Sequence, residues 1–239
     1  MTLVLLHGIG GAAWQPQLKA LAGRAVLDWP LPGYGGTPML AETSFAGWAE
    51  TLLHALDAHG IGRADVLGHS IGGMLAQEFA ITHPDRVNRL VLYATTPSFG
   101  GRDPSFAQQF LADRLAPLDA GKTMMDLAQE SMAAMLGTHA SYGAAAAAIN
   151  AMASVPQAAY RETVRCLTTF NRRDDIGRIT APTLLIAGDR DPLAPPKTMQ
   201  RMQEAIAGSR LVVLPGAGHL AHLEQPDAFN AALLDFLGR

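Results

Sequence analysis

Six short runs of Val, Ile and Leu leave this chain few folds to choose from. They fall at Thr2 to Leu6, Arg24 to Asp28, Ala64 to Gly68, Arg89 to Ala94, Thr183 to Ala187 and Arg210 to Leu214, and none shows the polar alternation of a half-solvated strand. Such runs suit strands buried on both faces of a parallel sheet. Between them, residues 14–22, 44–58, 71–83, 197–207 and 226–237 have helical length and spacing. Strands alternating with helices imply right-handed crossovers and an α/β architecture: an open, mostly parallel sheet with helices on both faces. In that architecture ligands sit at the carboxyl ends of the strands.

The alternation stops between about Pro97 and Arg173. This interval is rich in Ala and Met, has no clear strand run, and contains helical stretches at Ser105 to Leu115 and Lys122 to Leu136. Five consecutive alanines at 144–148 read as a helix former rather than a linker. The expected organisation is a core of residues 1–96 and 174–239 with a helical cap, 97–173, inserted between two strands. Residues 133–160 contain no Asp, Glu, Lys or Arg, yet Gly137, His139, Ser141, Gly143, Asn150 and Pro156 break a mostly Ala stretch. That is too weakly apolar for the ~20 residues of a membrane span.

Of the 239 residues 49% are hydrophobic and 16% charged, with a net charge of −3. Disorder is excluded, because it needs few apolar residues and high net charge. The absence of a Lys/Arg stripe argues against nucleic acid as a partner. The first apolar run is too short for a signal peptide and has no basic residue before it, so a cytoplasmic protein is expected, monomeric or a small homo-oligomer. A single cysteine, Cys166, can make neither an internal disulfide nor a multi-thiolate metal site.

Gly68-His69-Ser70-Ile71-Gly72 lies between an apolar strand and a helix. A serine on so tight a turn is exposed and strained, and its small neighbours make room for the turn. A hydroxyl is a poor nucleophile until a base takes its proton and a third group holds the base. His219, in the glycine-rich turn after the last strand, is the expected base, and Asp191, after the preceding strand, the expected acid. Asp189 is the rival acid, but a turn-shaping role suits it better. His222 reads as a pocket-edge or structural residue, and His54, His59, His83 and His139 as surface or capping residues. After the first strand, His7-Gly8-Ile9-Gly10-Gly11 is a turn that lets backbone approach a substrate. The N–H groups of Ile9 and Ile71 are the expected oxyanion donors. A phosphate loop would need the Gly-Lys-Ser/Thr ending, which is missing.

With these motifs in chain order, and Leu31-Pro32-Gly33-Tyr34-Gly35 among them, the sequence resembles the α/β-hydrolase superfamily. The resemblance implies a helical cap at 97–173 and, since the chain starts at what would be the family's third strand, a sheet of about six. Gly73-Met74 with Gln77, and His83-Pro84-Asp85-Arg86-Val87, look like 3-oxoadipate enol-lactone hydrolases and related small serine esterases. His69, where carbon–carbon bond hydrolases often have Asn, and Met74, where menaquinone-pathway relatives tend to have Arg, lower those readings. The expected activity is hydrolysis of a small, largely apolar carboxylic ester or lactone through an acyl-enzyme, without metal or organic cofactor. The alternatives are a carbon–carbon bond hydrolase, a cofactor-free haloperoxidase or perhydrolase, and a non-catalytic receptor on the same fold. Substrate contacts are expected from Trp29, Met125 and Arg161. Trp48, the cap methionines Met124, Met132, Met135 and Met152, and Arg165, Arg172 and Arg173 are further candidates.

Overall fold

The computed structural model describes residues 1–100, 104–138 and 140–238, so the expectation for His139 lies outside the described residues. All six apolar runs are strands: β1 (Leu3–Leu6), β2 (Val26–Trp29), β3 (Ala64–His69), β4 (Val87–Tyr93), β5 (Thr183–Gly188) and β6 (Arg210–Leu214). They form one sheet in the order β2-β1-β3-β4-β5-β6, every neighbouring pair parallel. The side chains of a strand alternate between faces, and in the inner strands β1, β3 and β5 both faces are dry, while the edge strands β2 and β6 are partly exposed. Val4 and Leu6 of β1 join Val66, Leu90, Leu92 and Leu185 in one core, while Leu3, Leu5, Leu67, Val91, Leu184 and Ile186 join the other. A continuous apolar run is the sequence such a strand requires.

The first core is covered by α2 (Phe45–Ala58), α3 (Ile71–Thr82) and α8 (Pro196–Ala205), the second by α1 (Gln15–Ala20), α9 (Ala221–Glu224) and α10 (Pro226–Leu237). Their starts follow from local chemistry. Ser44 caps α2 by accepting the Gly47 N–H, and Pro stands in the first turn of α1, α8 and α10, where no amide donor is needed. His59 ends α2 and His83 ends α3, and His83 also stacks on Phe79.

Between β4 and β5 the chain leaves the sheet and forms α4 (Pro104–Asp119), α5 (Met124–Met135), α6 (Tyr142–Ala153) and α7 (Gln157–Leu167). Thr123 and Asp126 form a reciprocal capping box on α5, and Ser141 caps α6. The alanine run lies inside α6. The two ends of this helical insert meet at a neck where Phe99 N–H donates to Phe170 (2.8 Å) and Arg172 N–H to Pro97 (2.8 Å). Just past it, the Arg172 guanidinium forks onto the buried Glu78 carboxylate of α3, both bonds 2.6 Å. Among the described residues no helix is long and apolar enough to cross a membrane.

Candidate active site

Because all six strands run one way, the loops that follow β1, β3, β5 and β6 emerge on a single edge of the sheet, and these loops carry Ile9, Ser70, Asp191 and His219. Ser70 bridges β3 and α3 with φ 54° and ψ −117°. It is one of two non-glycine residues with positive φ among those described, in a region where a side chain is strained. The elbow is held on both sides. Ser70 N–H donates to the Tyr93 carbonyl (2.9 Å), extending the sheet, and the Ser70 carbonyl accepts from Gly73 N–H (2.9 Å) and from the Thr95 hydroxyl (2.8 Å). A Cβ on Gly68 would run into the Gly72 carbonyl, and one on Gly72 into the Leu6 and His7 carbonyls. The small residues around Ser70 are therefore a packing requirement.

His219 is fixed by every polar group it has except Nε2. Its Nδ1 meets Asp191 Oδ2 at 2.8 Å. Its carbonyl accepts from Tyr93 Oη (2.8 Å) and from His69 Nε2 (3.0 Å), and its N–H donates to the Met135 carbonyl at the end of α5 (2.8 Å). The other oxygen of Asp191 accepts from Leu193 N–H (2.8 Å) and Ala194 N–H (3.1 Å). Burial alone would raise the Asp191 carboxyl, but His219 and these amides outweigh it and hold the acid below its usual range. Asp189 points elsewhere: its Oδ1 accepts from Gly216 N–H at 2.6 Å, the turn-shaping role anticipated for it.

The oxyanion-turn candidate is equally constrained. His7 Nε2 accepts the Leu31 N–H (3.0 Å), which leaves the proton on Nδ1 to donate to the Gly8 carbonyl (2.8 Å). Burial brings His7 down to about 4, the bond to Gly8 opposing it. The Tyr34 hydroxyl, from the Leu31–Gly35 motif, donates to the Ile9 carbonyl at 3.1 Å. Ile71 opens α3, so its N–H is one of those no helix can use internally.

Ser70, His219 and Ile9 all line one cavity of about 690 Å³ between the sheet edge and the insert. Its wall is mostly apolar and includes Trp14, Met74, Met132, Met135, Met152, Leu167 and Leu193, with Phe106, Phe110 and Tyr160 from the insert. His222 also faces it, as expected, with the ring against Trp14 (4.8 Å) and Nδ1 by the Tyr93 hydroxyl (3.1 Å); burial and then the neighbouring His219 bring it to about 3.

The three substrate-contact expectations are not on this wall. Trp29 is 7% exposed inside the first core, and Trp48 and Met124 are buried in the same core. Met125 lies one position off the buried stripe of α5 and is 40% exposed. Arg161 is drawn to Asp119 at 2.6 Å. Arg165 pairs with Glu162, Arg172 with Glu78, and Arg173 hydrogen-bonds Ser98.

Four residues were missed by sequence reasoning. Tyr93 and His69 hold the His219 carbonyl. Glu224, buried in α9, accepts N–H bonds from Gly218, Leu220 and Gly137, and Arg114 is the arginine of the cavity wall among the described residues. Only His69 carried a signal, its place beside the serine. Among the described residues no group of His, Cys, Asp and Glu could hold a metal ion.

Sheet order, elbow and insert define an α/β hydrolase, and the profile of the alpha/beta hydrolase fold family matches residues 2–226. The chain belongs to that family. It is 34% identical to the "Putative carbamate hydrolase RutD" of Variovorax paradoxus over 99% of this chain and 91% of that protein. It is 29% identical to the pimeloyl-[acyl-carrier protein] methyl ester esterase of Aeromonas hydrophila, over 99% and 95%. Among solved structures, the enol-lactonase from Burkholderia xenovorans superposes with a TM-score of 0.88 at 25% identity, covering 99% of this chain and 90% of that one.

Proposed function

We propose that this protein cleaves a carboxylic ester or lactone of a small, largely apolar substrate through an acyl-enzyme. Ser70 is the nucleophile, His219 the base and then the acid, and Asp191 the group that fixes the imidazole. The observation that carries the reading is a strained serine (φ 54°) sharing a cavity with a histidine whose Nδ1 is locked to a buried carboxylate at 2.8 Å. That lock puts the proton on Nδ1 and leaves Nε2 as the lone-pair nitrogen.

In the first half of the reaction Ser70 Oγ bonds to the carbonyl carbon while its proton passes to His219 Nε2. The tetrahedral oxyanion is met by the N–H groups of Ile9 and Ile71. The carbon–oxygen bond to the leaving group then breaks, and the imidazolium protonates the departing alkoxide. In the second half His219 takes a proton from water, whose oxygen attacks the acyl carbon, and returns that proton to Ser70 as the acid leaves. The insert roofs the cavity and keeps the acyl group among apolar side chains.

A carbamate is a second reading, favoured by the relatedness to the Variovorax protein. It carries nitrogen on the acyl carbon, and the same attack by Ser70 serves it. The test is p-nitrophenyl acetate hydrolysis together with covalent labelling by a fluorophosphonate. Wild type is expected to turn over and gain the probe mass, and Ser70→Ala to lose both, with a rate loss of at least ~10³-fold. Retention of rate in Ser70→Ala would refute the reading. Labelling without turnover would indicate a receptor, and activity confined to peroxide and acetate a perhydrolase.

A further inference from the structure

Arg114 belongs to the cavity wall, and among the described residues no acid pairs with it. It is half-buried on α4, its guanidinium carbon 5.3 Å from the centroid of the Phe110 ring and next to the hydroxyl of Tyr160 on α7. All three side chains line the cavity. Among the described residues, the other insert arginines, at 161, 165, 172 and 173, have each found a carboxylate or, for Arg173, a hydroxyl. Among the described residues no carboxylate forms an ion pair with Arg114.

A guanidinium stays charged at any ordinary pH and carries five N–H donors in a planar fork. Phe110 covers part of one face and Tyr160 Oη stands close enough to feel the charge, which leaves donors unused. Tyr160 is 1% exposed; burial pushes its phenol up, and the Arg114 charge and hydrogen bond oppose this. The Tyr160 hydroxyl, beside that charge, has its own proton to give. Two donors thus stand on the insert side of a mostly apolar chamber, the kind of arrangement that fixes the orientation of a small ligand. A carboxylate matches the fork in shape and charge.

We propose that Arg114 and Tyr160 bind a carboxylate at the far end of the substrate, so that the preferred ester carries an anionic terminus on its acyl or alkoxy chain. The anion sits in the helical roof and the reacting carbonyl at Ser70 in the floor, with apolar side chains such as Met152 and Leu167 along the chain between them. The position of the carbonyl rests on the hydrolase reading above; the anion site does not.

The experiment compares p-nitrophenyl hydrogen adipate with p-nitrophenyl hexanoate, esters of equal chain length with and without the terminal carboxylate, at low salt. The readout is the ratio of their kcat/KM values in wild type, Arg114→Gln, Arg114→Lys and Tyr160→Phe, each checked for folding by circular dichroism. Wild type is expected to favour the adipate by about 10-fold or more, the worth of one charge-assisted contact. Arg114→Gln should bring the ratio to about 1, mainly through KM, and Arg114→Lys should recover part of it because charge remains without the fork. A ratio in Arg114→Gln equal to that of wild type overturns the proposal, and so does an equal fall for both esters. If wild type hydrolyses neither ester, the hydrolase reading fails and the anion site is judged by calorimetric titration with adipate. Binding to wild type and Ser70→Ala but not to Arg114→Gln then supports it, and equal binding or none in all three overturns it.

Discussion

Glu224 lies under the His219 turn, and among the described residues its carboxyl forms no ion pair and accepts from backbone amides alone. Oε2 accepts from Gly137 N–H at 2.7 Å and Gly218 N–H at 3.2 Å, and Oε1 accepts from Gly218 N–H at 3.1 Å and Leu220 N–H at 3.3 Å. Glu224→Gln keeps the shape and leaves one acceptor oxygen. Either orientation of the new amide directs an NH₂ at Gly137 N–H or at Leu220 N–H, so one part-buried donor loses its acceptor. That costs about 1–3 kcal/mol, and the remaining bonds lose the benefit of a charged acceptor, for about 2–4 kcal/mol in all. For a chain of this size each kcal/mol is about 2–4 °C, so calorimetry at pH 7 should show Tm falling by roughly 5–15 °C. The same amides position the His219 loop, so kcat on p-nitrophenyl acetate should drop about 10-fold at temperatures where the variant is folded. A Tm within about 1 °C of wild type would refute the reasoning, since it would mean that the amides had found other acceptors.

Gly72→Ala places a methyl group against two backbone carbonyls of β1 and the turn after it, which cannot yield as a flexible side chain would. Loss of soluble folded protein, or a Tm lower by more than ~10 °C, is expected and is read by thermal melting. The buried His7 and His222 stay neutral down to about 4 and about 3, whereas the unfolded chain protonates them near 6.5. The unfolded state therefore binds more protons below pH 6.5, and stability falls as pH drops through this window. At pH 5 each contributes a loss of roughly 2 kcal/mol relative to pH 7, so His7→Gln should flatten the dependence of Tm on pH between 7 and 5 while lowering Tm itself.

The inner strands were legible because a strand buried on both faces has little freedom to carry polar residues; the partly exposed edge strands β2 and β6 kept an apolar run beside Asp28 and Arg210, and all six runs reappear as strands. The run at Arg24 to Asp28 shifts to Val26–Trp29 because the paired register with Leu3–Leu6 sets its ends. Ser70, Asp191 and His219 could be read as a group because each follows a strand, and a parallel sheet brings such loops together. The wall of the cavity could not be read in the same way. The stripe of Met124, Leu127, Ala128 and Met132 shows which face of α5 is buried, but not whether a given residue meets a neighbouring helix or the chamber. Arginine identity was less informative still. Arg161 finds its acid 42 positions away at Asp119, whereas Arg114 finds an aromatic ring, and local sequence does not distinguish these outcomes.

The end of α5 and the His219 turn share one stretch of backbone contact. Met135 accepts from His219, Thr138 N–H donates to Gly216 (3.0 Å), Gly137 donates to Glu224, and a Cβ on Gly137 or Gly218 would strike the opposing main chain. The insert is therefore not an interchangeable module placed on a finished core. Grafting another protein's cap into this chain would sever the segment that seats the histidine, unless residues 135–138 stayed with the recipient. Conversely, lifting α5 away from the sheet would carry the histidine with it, so substrate traffic that leaves the reactive centre assembled must pass on another side of the roof.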